Sequence, residues 1–157
     1  MTIDITAYKR LLKVENPILD ENGEPVHSES EWKPGESMKW SEKCFPGRGK
    51  GIDPDTVYTW EDECNFRAGN LCGYNWWINK LEEFSNGVSF MELINFDNEG
   101  VIGSIVSKKL LKDFVENETK AFKFSRKIQD GDWWLKQYKN WIIALKFASD
   151  NGAIEFH

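Results

Sequence analysis

All five prolines, at positions 17, 25, 34, 46 and 54, fall in the first part of a 157-residue chain, and none follows. Proline lacks a backbone donor and breaks helix interiors, so long helices are confined to the residues beyond 54. Residues 16–45 read as a loop-rich Pro/Gly segment, with Asn22-Gly23 and Pro34-Gly35 as turns. A long stretch without regular structure is unusual in a compact domain, so short strands are expected near Val26 and over 38–40. Ahead of this segment, Ile5, Tyr8, Leu11 and Leu12 recur at helical spacing. They predict a short helix over 5–14, closed by Pro17.

Beyond the prolines the apolar pattern tightens. Val57, Tyr58 and Trp60 suit a strand, or the lead into a short helix through 61–66. Gly69 and Gly73 bracket a turn, after which Tyr74, Trp77, Ile78, Leu81 and Phe84 mark a helix that Asn86-Gly87 ends. Phe90–Phe96 is apolar but too short for its period to separate strand from helix. Ile102, Ile105, Val106, Leu110 and Phe114 predict a helix running to Phe124. Trp134, Tyr138, Trp141, Leu145 and Ala148 predict a last helix, stopped by Asn151-Gly152, with a strand over 153–156. The expected class is α+β: one helix-dominated domain over 1–157 with a small antiparallel or mixed sheet.

Twenty Lys plus Arg stand against 26 Asp plus Glu, a formal charge of −6. That balance argues against general nucleic-acid binding, which needs a basic face. No apolar run approaches the roughly 18 residues of a membrane span, and the first residues lack signal-peptide order. A cytoplasmic protein without a membrane partner is expected. Cys44, Cys64 and Cys72 cannot all pair within one chain, and no CxxC is present, so buried free thiols are expected rather than disulfides or zinc. No metal or cofactor is implied. The sequence leaves the oligomeric state open, a homo-oligomer included.

Three segments carry residues suited to a ligand. In Gly47-Arg48-Gly49-Lys50-Gly51, alternating glycines allow close backbone approach while Arg48 and Lys50 add positive charge. The order matches neither a Walker A loop nor a Rossmann fingerprint, and a mobile basic surface loop is the simpler reading. Asp53-Pro54-Asp55 beside it suits a turn. In the second segment, Arg67 precedes Gly73-Tyr74-Asn75-Trp76-Trp77. Guanidinium, indole and amide together can hold a planar anion, although Arg67 paired with an acid and Trp76 in the core would look the same. The third is Asn95–Gly100, where Asp97 and Glu99 either cap the following helix or orient ligand hydroxyls. Trp60 completes the candidate set. Catalysis has little support: the chain holds two histidines, His27 and His157, and no spacing selects a carboxylate pair such as Asp53 with Glu99.

The strings IDPDTVYTWEDE, GYNWW, FMELINFDNEGVIG and DNGAIEFH, in this order, resemble those of a family of small bacterial and phage proteins. The likeness spans 47–157. It implies a bacterial or phage source and an intracellular accessory role, and it supplies no reaction, cofactor or catalytic residue.

The expected function is therefore a non-catalytic binding protein for a small anionic planar, nucleotide-like ligand. Arg48, Lys50, Trp60, Arg67, Asn75 and Trp76 would line the pocket, with Asp97 and Glu99 at its rim. A phage accessory protein of this kind would sequester a signal in counter-defence. The alternative is an immunity or inhibitor module that binds a protein through exposed Trp32, Trp40 and Trp133. A small hydrolase using Asp53, Asp97 and Glu99 is the third reading.

Overall fold

A computed structural model of the protein describes residues 1–95 and 98–157. The segment expected as a helix over 5–14 is instead strand β1 (Thr2–Lys9). Thr2, Ile3, Ile5 and Thr6 are β-branched and suit a pleated strand. Their alternation decides the matter: Ile3, Ile5 and Ala7 enter one core, while Asp4, Thr6 and Tyr8 take the opposite face. The apolar positions at helical spacing do not share a face: Ile5 enters the inner core, whereas Tyr8 and Leu11 join a second one on the other side.

β1 sits inside a four-stranded antiparallel sheet of order β4-β1-β6-β5. Its neighbours are β4 (Asp62–Asn70) and β6 (Ala153–Phe156), and β5 (Val101–Gly103) lies beyond β6. Helices α2 (Leu71–Phe84), α4 (Ser104–Glu116) and α6 (Gly131–Ser149) cover the inner face. The expected stripe of α6 is present: Trp134, Tyr138, Trp141, Leu145 and Ala148 are all fully buried. Trp77 stacks on Trp141 at 6.1 Å between ring centroids and donates its indole N–H to the Trp134 carbonyl at 3.0 Å. Gly152 turns the chain from α6 into β6 so tightly that a Cβ there would lie 1.8 Å from the Tyr8 carbonyl oxygen.

Other boundaries differ from the sequence reading. Phe90–Phe96 contains a single helical turn, α3 (Met91–Ile94). The helix expected to reach Phe124 breaks at Asn117, whose side-chain amide donates to the Asp113 carbonyl at 2.8 Å, and α5 (Glu118–Ser125) follows. Residues 38–40, expected as a strand, belong to helix α1 (Gly35–Cys44). Only Met38 and Ser41 of that helix are buried, so it carries no apolar stripe to betray it. Near Val26 the chain makes one isolated bridge, Leu19 to Pro25. The expectation of three buried thiols also fails. Cys44 and Cys72, on polar helix ends, are exposed, whereas Cys64 is half-buried against the inner core.

Residues 11–60 fold over the outer face of the sheet. Leu12–Lys13 (β2) pairs with Tyr58–Thr59 (β3), and Trp32 exchanges two backbone hydrogen bonds of 2.8 Å with Tyr58. A second, smaller core of Tyr8, Leu11, Trp32, Met38, Val101 and Ala153 holds this layer down. Among the described residues no helix is long and apolar enough to cross a membrane.

Candidate functional site

The layer over the outer face stops short of its whole width, and the uncovered part forms the floor of a cleft. Cross-strand register sets that floor. Thr6 pairs with Asn65 on one side and Glu155 on the other, and Tyr8 pairs with Glu63 and Ala153. Asp4 and His157 exchange backbone hydrogen bonds of 2.9 and 2.7 Å, while Arg67 flanks Asp4 on β4. Antiparallel pairing thus brings both sequence extremes into one polar patch.

Three side-chain bonds run across this patch in a fixed direction. The Asn65 amide donates to Glu63 Oε2 at 3.2 Å, which turns its carbonyl oxygen toward Thr6. Thr6 Oγ1 donates its single proton to that oxygen at 2.6 Å. The Thr6 Oγ1 to His157 Nε2 contact of 2.7 Å must then use the imidazole proton. Neutral His157 is therefore the Nε2–H tautomer, with Nδ1 as an acceptor. In the next row the Tyr8 hydroxyl donates to Glu155 Oε2 at 3.0 Å. Burial holds the Glu155 carboxyl above its ordinary range, and the Tyr8 bond and the His157 charge oppose that shift. Burial, reinforced by Glu155 and Glu63, keeps Tyr8 protonated far above ordinary phenol values.

The cleft above this floor encloses about 420 Å³, within the size range of small-molecule sites. Trp32 and Trp60 form its aromatic wall, each 4.7 Å from the Tyr8 ring between centroids. Glu24, Glu29 and Glu31 descend from the covering layer. Lys33 also lines the cleft, but its ammonium is bound to the Gly23 carbonyl at 2.7 Å.

Of the eight residues expected to line a ligand pocket, Trp60 alone is found in the lining of this cleft, although Trp32 and His157, noted for other reasons, also line it. Arg48 is 2% exposed; its guanidinium donates to Ser41 Oγ and to the Glu99 carbonyl and lies over the Phe156 ring. Arg48 and Glu99 therefore meet, but through a backbone carbonyl, and the Glu99 residue itself is exposed. The glycine loop does cradle an anion, and that anion is the protein's own: the amides of Gly47 and Gly49 donate to the Glu42 carboxylate. Lys50 is exposed at a shallow depression beside α1. Arg67 pairs with Asp4 at 3.3 Å on the open face. Asn75 is exposed on α2, whereas half-buried Trp76 lines a separate depression with Trp133, 6.1 Å away. Asp97 lies outside the described residues. The Asp53 carboxylate accepts from the Asp55 amide at 2.8 Å, closing the expected turn. The seven described residues of this set do not converge on one cavity.

The sequence reading missed Thr6, Tyr8, Glu31, Glu63 and Glu155 as cleft residues. One signal existed: the alternation of IDITAY and AIEFH assigns Asp4, Thr6, Tyr8, Glu155 and His157 to the polar faces of two strands. Which strands pair, and what covers them, has no local signal. Among the described residues no group of three His, Cys, Asp or Glu side chains is placed to hold a metal ion. No protein-family model, curated protein or solved structure matches the chain.

Proposed function

We propose that this chain is a non-catalytic binding protein that captures a small organic ligand in the cleft on the outer face of the sheet. One observation carries the reading: there, aromatic rings and converging polar side chains share a cavity of about 420 Å³. Trp60, expected at the site from sequence, supplies the flat apolar wall on which a planar group can rest. The direction of the hydrogen bonds supports binding over catalysis. His157 donates to Thr6 and does not withdraw its proton, so the pair is not a base-activated nucleophile. The expected anion clamp lends no support, because Arg48, Lys50 and Arg67 are engaged or directed elsewhere. In the cytoplasm of a bacterial or phage-infected cell, such a protein would act by sequestration. Native mass spectrometry of freshly purified protein tests the proposal: a small-molecule adduct is expected in the parent and not in a Trp60→Ala variant. An adduct retained by Trp60→Ala would place the ligand elsewhere.

A protein-interaction role has one observation in its favour. Leu12, Ile18, Leu19 and Val26 of the covering layer are exposed, as is Trp40 at 58%. Trp32, expected among the displayed anchors, is instead 7% exposed and packed on Tyr8. A stoichiometric partner captured by the parent and lost on Ile18→Asp would favour this reading.

A further inference from the structure

The cleft is lined by five carboxylates and one ammonium, so acceptors and negative charge outweigh donors. Glu155, Glu63, Glu24 and Glu29 present carboxylates. Tyr8 has spent its proton on Glu155, and Thr6 has spent its proton on Asn65. In neutral His157 the nitrogen that carries the proton is turned to Thr6, leaving Nδ1 as an acceptor. Lys33, the cleft's one ammonium, gives one of its three protons to the Gly23 carbonyl. Glu31 Oε1 is buried and has no hydrogen-bond partner among the described residues, an arrangement that leaves a desolvated carboxylate oxygen waiting for a donor.

An anion in this cleft would meet five carboxylates at close range against the single ammonium of Lys33, which is unfavourable in a partly desolvated site. A cation that lacks N–H groups would satisfy the charge and leave the acceptors unmet. Resting on the reading that the cleft binds a small molecule, we infer that its ligand is a protonated organic amine or guanidinium. The N–H donors point to the Glu155, Glu31 and Glu63 carboxylates, and the carbon stem lies against Trp60 and Trp32. Indole faces attract such cations in addition to burying their stems.

The test is titration calorimetry of the full chain with three probes: agmatine, tetramethylammonium and AMP. Agmatine, a dication with N–H donors, is expected to bind, and tetramethylammonium, a monocation without them, at least roughly tenfold more weakly, since it lacks both the second charge and every hydrogen bond to a charged group. AMP is expected not to bind. Glu155→Gln and Glu31→Gln should each weaken agmatine by roughly tenfold or more, while Glu36→Gln on the exposed side of α1 leaves it unchanged. Circular dichroism checks that each variant is folded. Equal affinity for tetramethylammonium and agmatine would overturn the donor argument. AMP binding that depends on Trp60, without agmatine binding, would overturn the inference and leave the cleft as a binding site. No heat from any probe, together with no native-mass adduct, would overturn both.

Discussion

The two faces of one sheet are built from alternate residues of the same strands, yet they obey different rules. On the inner face Ile3, Ile5, Ala7, Ile154 and Phe156 are closed over by helices and buried among aromatic rings. On the outer face Asp4, Thr6, Tyr8, Glu155 and His157 are hydrogen-bonded in a set direction and only partly covered. The inner face is stabilised by area removed from water, which tolerates no gap. The outer face buries a smaller core under the covering layer, and its uncovered part depends on each donor meeting an acceptor. The apolar core and the polar cleft floor are thus divided by parity along β1 rather than by region.

The largest effect that can break this contrast is on the inner side. Trp141→Ala should lower unfolding free energy by about 3–5 kcal/mol in denaturant titrations; a loss no greater than that of an outer-face variant would erase the distinction. Cysteine chemistry gives the next largest difference. The Cys64 thiol faces inward and is pushed up to about 11, by burial first and then by Asp62 and Glu63. In the folded protein at mildly alkaline pH it should alkylate roughly a hundredfold more slowly than an unperturbed thiol. Peptide mass mapping should find exposed Cys44 and Cys72 modified first.

Outer-face changes should be smaller. Thr6→Val leaves Asn65 and His157 without their shared partner and should cost about 1 kcal/mol. In the parent protein, two-bond nitrogen–proton NMR of His157 should show the Nε2–H form; an Nδ1–H form would reverse the direction of the relay. For Glu155→Gln the sign follows from burial. A carboxyl raised in the folded state favours folding below its unfolded value, and that support is lost as pH rises through the folded value. The variant keeps an oxygen for Tyr8 and avoids the loss. Its Tm should exceed the parent's at about pH 7 and converge with it below about pH 4. A constant gap would show that Glu155 acts through packing. Smallest of all, Arg67→Ala breaks only an exposed pair with Asp4 and should cost less than about 1 kcal/mol.

The same division explains what could be read from sequence. The stripe of α6 and the strand at 153–156 were legible because their burial is dense and periodic. β1 was not, since Ile5, Tyr8 and Leu11 recur at helical spacing although Ile5 faces the inner core and Tyr8 and Leu11 the outer one, and α1 hides because its exposed face is nearly its whole surface. Trp60 was legible as a ring off any stripe. The basic loop was legible as an anion cradle, but its occupant, Glu42, depends on a tertiary approach that no spacing encodes. The cleft floor is the extreme case: the Thr6–His157 bond joins side chains 151 positions apart.

That separation has a consequence for how the cleft responds to its ligand. The β1–β6 ladder encloses nearly the whole described chain, so its closure carries the largest loop entropy in the molecule and the slowest topology to assemble. If the proposed ligand bridges Glu155 on β6 and Glu63 on β4, it spans β1 and ties that longest-range junction. Its occupancy would then act on global unfolding rather than on local fraying, and the folded lifetime of the protein would report how much ligand the cell contains.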